Sequence, residues 1–287
     1  LLAHGGDFRD VGLMAGATFP RTHRPTGGAL VGPEVVRTLY TAAKAEKIDI
    51  RTNTQATKIL TDKTGRVTGI QVKDKNGTYT IHSKAVVNAA GGFGANNELV
   101  SKYVPRLKGF ATTNHPGATG DGILLAEKIG AATVDMKQIQ AHPTAAPNGT
   151  LISESVRGDG AILVNADGKR FTNEMGSSVD RTNAVFDALR REHDLIAIAD
   201  ARAVRHPRSG IFTEEDVKTL VARGYVTEFE TLESLADELE MPLESLRQEI
   251  AAYSQSVLKG DLYDRMGRRI EKGAEPMGEA PWYAAPL

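Results

Sequence analysis

Residues 85–94 read Ala85-Val86-Val87-Asn88-Ala89-Ala90-Gly91-Gly92-Phe93-Gly94, an apolar run that stops abruptly in a glycine turn. A short apolar run without polar alternation predicts a strand buried on both faces, as in the middle of a parallel sheet. Glycines at its carboxyl end predict a tight exit where a ligand can approach the backbone, because open α/β sheets bind ligands beyond the carboxyl ends of their strands. The same glycines also suit a strand exit with no ligand.

Upstream, Pro33 starts a helical pattern with Val35, Val36, Leu39, Tyr40 and Ala43 on one face. Proline suits a first turn, where its missing N–H would have no partner anyway. Residues 48–53 and the segment around Lys58-Ile59-Leu60 are predicted strands. A turn at 62–65, a strand at 67–72 and an Asn76-Gly77 hairpin signal before Tyr79-Thr80-Ile81 predict an antiparallel meander. Downstream, Thr119-Gly120-Asp121-Gly122 introduces a helix at 123–129 that Gly130 closes. Helix, strand, meander, strand and glycine turn, in that order, predict a nucleotide-binding α/β domain over residues 1–134. From about residue 135 the pattern becomes α+β. Strands at 161–165 and 169–171 flank an Asp167-Gly168 turn, 195–199 is another strand, and Thr231 and residues 242–258 carry caps and helical periodicity.

Composition narrows the class. The 287 residues are 40% hydrophobic and 25% charged, ordinary for a globular protein. Lys and Arg total 35 against 36 for Asp and Glu, so no global basic field favours nucleic acid or an anionic membrane. The absence of cysteine removes disulfides, thiolate catalysis and thiolate metal sites. No apolar run approaches the roughly 20 residues that span a bilayer. The compartment is left open between cytoplasm and periplasm.

The chemistry concentrates between His142 and Arg181. Here QAHPT, SESVRGDGAI, LVNADGKRFTNE and SSVDRTNAV place His142, Ser153, Glu154, Arg157 and Arg181 among apolar strands and turn glycines. Polar groups spent in such a setting are paired or used; the spacing of Glu154 and Arg157 also fits a surface ion pair of under about 1 kcal/mol. No second His or carboxylate stands at a metal-ligand spacing from His142, so no metal site is expected. Thr26-Gly27-Gly28 offers backbone N–H groups to an anion, or simply a turn, and Asp121 offers a carboxylate to a ribityl hydroxyl, or simply a favourable first-turn charge. No complete GxGxxG fingerprint occurs.

HRPTGGALVGP, VVNAAGGFGANNE, TNHPGATGDG, IQAHPT and SESVRGDGAILVNADGKRFTNE, in this order over about residues 10–185, resemble the flavoprotein subunit of the soluble fumarate reductase family, which includes urocanate and methacrylate reductases. The resemblance implies part of a Rossmann-like FAD-binding domain (1–134) with its antiparallel β-meander, followed by an α+β capping domain (135–287). It implies FAD as cofactor, held by Thr26, Gly27, Gly28, Thr57, Ala90, Gly91, Gly92 and Asp121. It also implies hydride transfer from flavin N5 to one alkene carbon of fumarate and protonation of the other by an arginine. By motif position, His142 and Ser153 grip a substrate carboxylate, Ser153 standing for the usual threonine, and Glu154 and Arg157 form the proton relay.

The acid itself departs from the pattern. The family places it four residues after the Asn-Glu pair, where this chain has Ser178; the first arginine is Arg181, ahead of a helical stretch. Arg181 is expected to take the role. The alternatives are another unsaturated carboxylate such as urocanate, a related dehydrogenation, or a non-catalytic domain that keeps the fold. The resemblance also implies a dicarboxylate substrate and an electron-donor domain or protein outside these residues. The N-terminal FAD fingerprint and the C-terminal return of the family are not in the sequence, so the chain alone is expected to bind FAD weakly and not to turn over.

Overall fold

The computed structural model describes residues 1–12, 19, 21–145, 149–152, 154–190, 194–205 and 214–287, with 154, 155 and 178 in backbone only. They divide into two compact units, Leu1–Ala42 with Gln140–Leu287, and Ala43–Ile139.

The first unit opens with a ribbon of β1 (Asp10–Gly12) and β2 (Thr22–Arg24), antiparallel with Asp10 opposite Arg24. Helix α1 (Val31–Ala45) follows, with Pro33 near its start as predicted. Its inward face is not the apolar stripe. Thr38 is the buried position, while Val36, Leu39 and Tyr40 are 66%, 52% and 52% exposed. Polar anchoring sets this rotation: Glu34, one turn before Thr38, accepts from the Asp7 N–H at 2.8 Å and pairs with Arg37, whose Nη2 also donates to the Gly5 carbonyl.

In the second unit, β3 (Gln55–Thr61), β4 (Val67–Asp74) and β5 (Gly77–His82) form the predicted meander, each strand pairing with the next. Its turns are built as the sequence indicates. Asp62 accepts from the Thr64 and Arg66 amides, and Gly77 follows Asn76 at φ 126°, a conformation costly for any other residue. Asn96 caps α2 (Asn97–Tyr103), accepting from the Leu99 N–H and donating to the Thr119 carbonyl. Helix α3 (Asp121–Glu127) is followed by Gly130 at φ 89°.

Two predicted strands of this unit are absent. Residues 48–53 and 85–90 pair with no strand among the described residues. Ile48 is 56% exposed and Val87 88%. Side-chain pattern supplies one face of a strand, but the ladder needs a neighbouring strand, and no described strand pairs with either run.

The rest of the first unit contains α4 (Glu154–Asp159), β6 (Ile162–Asn165), α5 (Ser178–Leu189), β7 (Leu195–Asp200), α6 (Ala201–Arg205), α7 (Glu214–Ala222), β8 (Thr227–Phe229), α8 (Leu232–Glu238), α9 (Leu243–Lys259) and β9 (Trp282–Pro286). The four strands form one antiparallel sheet in the order β6-β7-β9-β8. Strand alternation divides its core in two. Ile162, Val164, Ile196 and Ile198 pack with Leu235, Leu246, Ile250, Tyr253 and Trp282 on the side of α8 and α9. Leu163, Ala197 and Ala199 face the other way, towards Ile152, Val226 and Ala203. Burial on both faces explains why 161–164 and 195–199 read as unbroken apolar runs. Thr231 caps α8 in a reciprocal capping box with Ser234. The expected strand at 169–171 reduces to one bridge, Val164 to Arg170, because the Arg170 side chain turns inward to a buried carboxylate and the chain leaves the sheet.

Candidate active site

Helix α4 is six residues long; Glu154 opens it and Arg157 lies one turn on. Arg157 is 1% exposed and its Nη1 donates to the hydroxyl of Thr144. That hydroxyl donates in turn to the Ile152 carbonyl at 2.7 Å. His142 folds over the same residue: its Nδ1 lies 3.0 Å from the Thr144 carbonyl oxygen and 3.3 Å from the Thr144 N–H, the bond made depending on the tautomer. Thr144, fully buried, therefore joins the expected carboxylate-gripping His142 to the expected relay residue Arg157.

Arg181 lies at the start of α5. Ser177 caps α5, accepting from the Asp180 N–H at 3.1 Å, and this fixes Arg181 in the first helical turn. The guanidinium is buried and its Nη1 donates to the Gly176 carbonyl. The next residue, Thr182, donates its hydroxyl to the Ala141 carbonyl at 2.9 Å, tying the start of α5 to the segment that carries His142. The structure thus gathers His142, Arg157 and Arg181 around residues 141–144. Ser153 lies outside the described residues.

Beneath them is a buried charge cluster. Glu174 takes both Nε and Nη2 of Arg170, at 2.8 and 2.6 Å, and accepts from the Leu163 N–H. Asp264 lies 2.8 Å from Arg170 Nη2, and Arg268 Nη1 lies 3.5 Å from Glu174. Burial alone would make the Arg170 guanidinium easier to deprotonate; Glu174, with help from Asp264, reverses this and raises it above the ordinary arginine value. Two arginines against two carboxylates, sharing hydrogen bonds, are what a buried charge needs to be tolerated.

Of the residues expected to hold cofactor, those of the second unit fall into two places. The 90–92 and 119–122 turns meet: the Gly120 N–H donates to the Gly92 carbonyl at 3.0 Å, and a Cβ on Gly122 would lie 2.3 Å from the Asn88 side-chain oxygen and 2.9 Å from Ala90 Cβ. A Cβ on Gly91 or Gly92 would meet nothing within 4 Å, and Asp121 is exposed beside them. Open glycine backbone next to an exposed carboxylate, one oxygen of which accepts from the Thr119 hydroxyl at 2.9 Å, fits a polyhydroxy, phosphate-bearing group. Thr57 occupies an irregularity in the β3–β4 ladder and donates its hydroxyl to the Gln71 carbonyl at 3.2 Å. In the first unit, Thr26, Gly27 and Gly28 do not offer bare amides. Thr26 N–H donates to Asp7, and Gly27 and Gly28 donate to one Asp10 oxygen at 2.7 and 3.0 Å. That nest is closed internally by carboxylates. Among the described residues no group of His, Cys, Asp or Glu gathers as a metal site, and no helix is long and apolar enough to cross a membrane.

A mixed fold with an open glycine turn, and with buried arginines near a half-buried histidine, is compatible with a flavin-dependent redox protein. The FAD-binding domain family matches residues 5–287. The chain is 52% identical to a cytochrome-type fumarate reductase of Shewanella frigidimarina over 177 residues, 61% of this chain and 31% of that protein. It is 38% identical to an NADH:fumarate oxidoreductase of Klebsiella pneumoniae (strain 342) over 277 residues, covering 96% of this chain and 29% of that one. The open conformation of a flavocytochrome c3 fumarate reductase superposes with a TM-score of 0.72 at 32% identity, over 99% of this chain and 49% of the other. The chain belongs to the FAD-binding domain family, among its fumarate-reductase-like flavoproteins, and its cofactor is FAD. It spans less than half the length of each of these relatives.

Thr144, Glu174, Arg170, Asp264 and Arg268 were not legible as site residues. Thr144 had one available signal, its place directly after His142-Pro143. Nothing in the sequence singles out Asp264 and Arg268, and only the fold shows that these two are buried while Arg265 and Gly267 between them stay exposed.

Proposed function

We propose that the whole protein reduces the double bond of a dicarboxylate, fumarate to succinate, with FAD. The observation that carries this reading is the arrangement of buried Arg157 and Thr144 with half-buried His142, the start of α5 that carries Arg181 being tied to the same segment by Thr182. When bound, reduced FAD supplies the hydride to one alkene carbon. Arg181 holds the proton for the other carbon, and Arg157 with Glu154 restores it from solvent. His142 and Ser153 bind a substrate carboxylate. An arginine with a pKa above about 12 is a poor acid in water, but it donates when it is desolvated, faces a developing carbanion and has a carboxylate relay behind it. A dicarboxylate substrate accounts for a site rich in cations and donors. The donor of electrons lies outside these residues.

The test is anaerobic oxidation of a reduced dye by the full-length, FAD-loaded protein, with fumarate and urocanate in parallel. Turnover with fumarate is expected, and Arg181→Gln is expected to lower kcat by about 10²–10⁴-fold, the span of a general acid, while FAD is retained. Turnover with urocanate alone would reassign the substrate. Fumarate turnover unchanged in Arg181→Gln would remove Arg181 as the acid.

A further inference from the structure

Six residues are too few for α4 to hold itself, since helices this short are marginal without tertiary support. Its last carbonyls depend on groups beyond the helix: Val156 accepts from the Ala161 N–H at 3.0 Å, and Arg157 only from the Gly160 N–H at 3.3 Å. Further support comes from a residue more than a hundred positions away. Arg268 Nη2 donates to the Arg157 carbonyl at 2.7 Å, and Nη1 donates to the Ala161 carbonyl at 3.0 Å, where the chain enters β6. One guanidinium thus holds both the backbone of the expected relay residue and the strand that follows.

Arg268 is itself fixed on every side. It is 2% exposed, its Cζ lies 4.7 Å from the centroid of the Tyr253 ring, and Glu174 balances its charge. Asp264 Oδ1 accepts from the Met266 and Arg268 amides at 2.8 and 2.9 Å, shaping the turn that presents the side chain. The same turn reaches the approach to the acid, because Asn173 Nδ2 donates to the Gly267 carbonyl at 2.7 Å just before Gly176 and Ser177. Packing alone would be served by an apolar residue. A fork of donors aimed at two carbonyls fixes a position and an orientation.

We infer that Arg268 is a positioning residue for proton delivery: it acts through Arg157, whose backbone it clamps, and does not touch substrate. The inference rests on the relay role proposed for Arg157. Its cost when lost is a displaced relay, for which misplacement by about 1 Å is worth about 10²-fold in rate.

The test uses the full-length, FAD-loaded protein and the variants Arg268→Gln and Arg268→Lys, with Leu246→Ala as a core variant that loses stability without touching the clamp. In Arg268→Gln, kcat for fumarate is expected to fall about 10–100-fold while KM stays within about threefold, with a raised solvent deuterium isotope effect as reprotonation becomes limiting. Arg268→Lys keeps the charge but loses the fork, and is expected to recover only part of the rate. Combined with Arg157→Lys, which already disables the relay, Arg268→Gln is expected to add little further loss. A kcat within threefold of the parent, a fully additive double variant, or the same kinetic change in Leu246→Ala would overturn the inference. Hydrogen exchange at the amides of residues 157–161 reads the clamp without turnover. Faster exchange is expected in Arg268→Gln and unchanged exchange would sink the clamp. If the parent fails to reduce fumarate, the functional reading fails, and exchange still decides whether Arg268 holds α4.

Discussion

Thr144 illustrates how much of a site can rest on one small hydroxyl. It accepts from Arg157, donates to the Ile152 carbonyl, and lies under His142. Thr144→Val preserves shape but strands a buried carbonyl and a guanidinium donor, a loss of about 1–3 kcal/mol. We expect the denaturation midpoint to fall accordingly and Thr144→Ser to restore most of it; equal midpoints for Val and Ser would show that the hydroxyl contributes nothing. Legibility from sequence follows the same logic. His142, Arg157 and Arg181 announce themselves because charged or titratable groups are conspicuous among apolar neighbours. Thr144 does not, since threonine is unremarkable in any setting. Arg268 is hidden for the opposite reason: Asp264-Arg265-Met266-Gly267-Arg268-Arg269 looks like a solvated charge run, and the pairing that buries it involves residues about a hundred positions earlier.

Elements were legible where their signals are local. The meander needed only turn chemistry at 62–65 and 76–77, and α8 only its capping pair. They were misread where burial depends on a neighbour. Ile48 and Ile50 alternate as on a half-buried strand and 85–90 is mainly apolar, yet both segments stand exposed, and α1 turns Thr38 inward in place of Leu39 and Tyr40. The anchor of α1 carries its own pH dependence. Arg37 and the Asp7 N–H hold the Glu34 carboxyl down to about 2 from an ordinary 4.5. A carboxyl lowered in the folded state stabilises it fully above its unfolded value, and that contribution disappears as pH falls through the folded value. The N-terminal segment should therefore stay docked on α1 at neutral pH and loosen between about pH 4.5 and 2. Carbon-13 titration of the Glu34 carboxyl should give a midpoint near 2; a midpoint near 4.5 would mean that Arg37 and Asp7 do not engage it in solution. The pair lies close to solvent, so the effect on global stability is small.

At the scale of the molecule, the class was legible and the last strand was not. Five ordered motifs led to the flavoprotein family, which the match over residues 5–287 bears out. Strand β9 escaped because Trp282-Tyr283-Ala284-Ala285-Pro286 has little intrinsic strand preference beyond its aromatic pair. It forms because β7 and β8 flank it, with Ala197 opposite Ala285 and Phe229 opposite Trp282.

That interior position of β9 has a consequence in time. Strands β3, β4 and β5 are neighbours in sequence, so each can pair as soon as it is made. The four-stranded sheet is different, because β7 and β8 have no common partner until residues 282–286 arrive. Pairings across long stretches of chain form slowly, since loop closure must precede their reward. In pulse-labelled refolding, the amides of β3–β5 should gain protection before those of β7 and β8. Simultaneous protection would mean that the sheet closes as fast as a hairpin. On the ribosome, the meander would form early, while the framework that carries Arg157 and Arg181 would wait for residues 282–286.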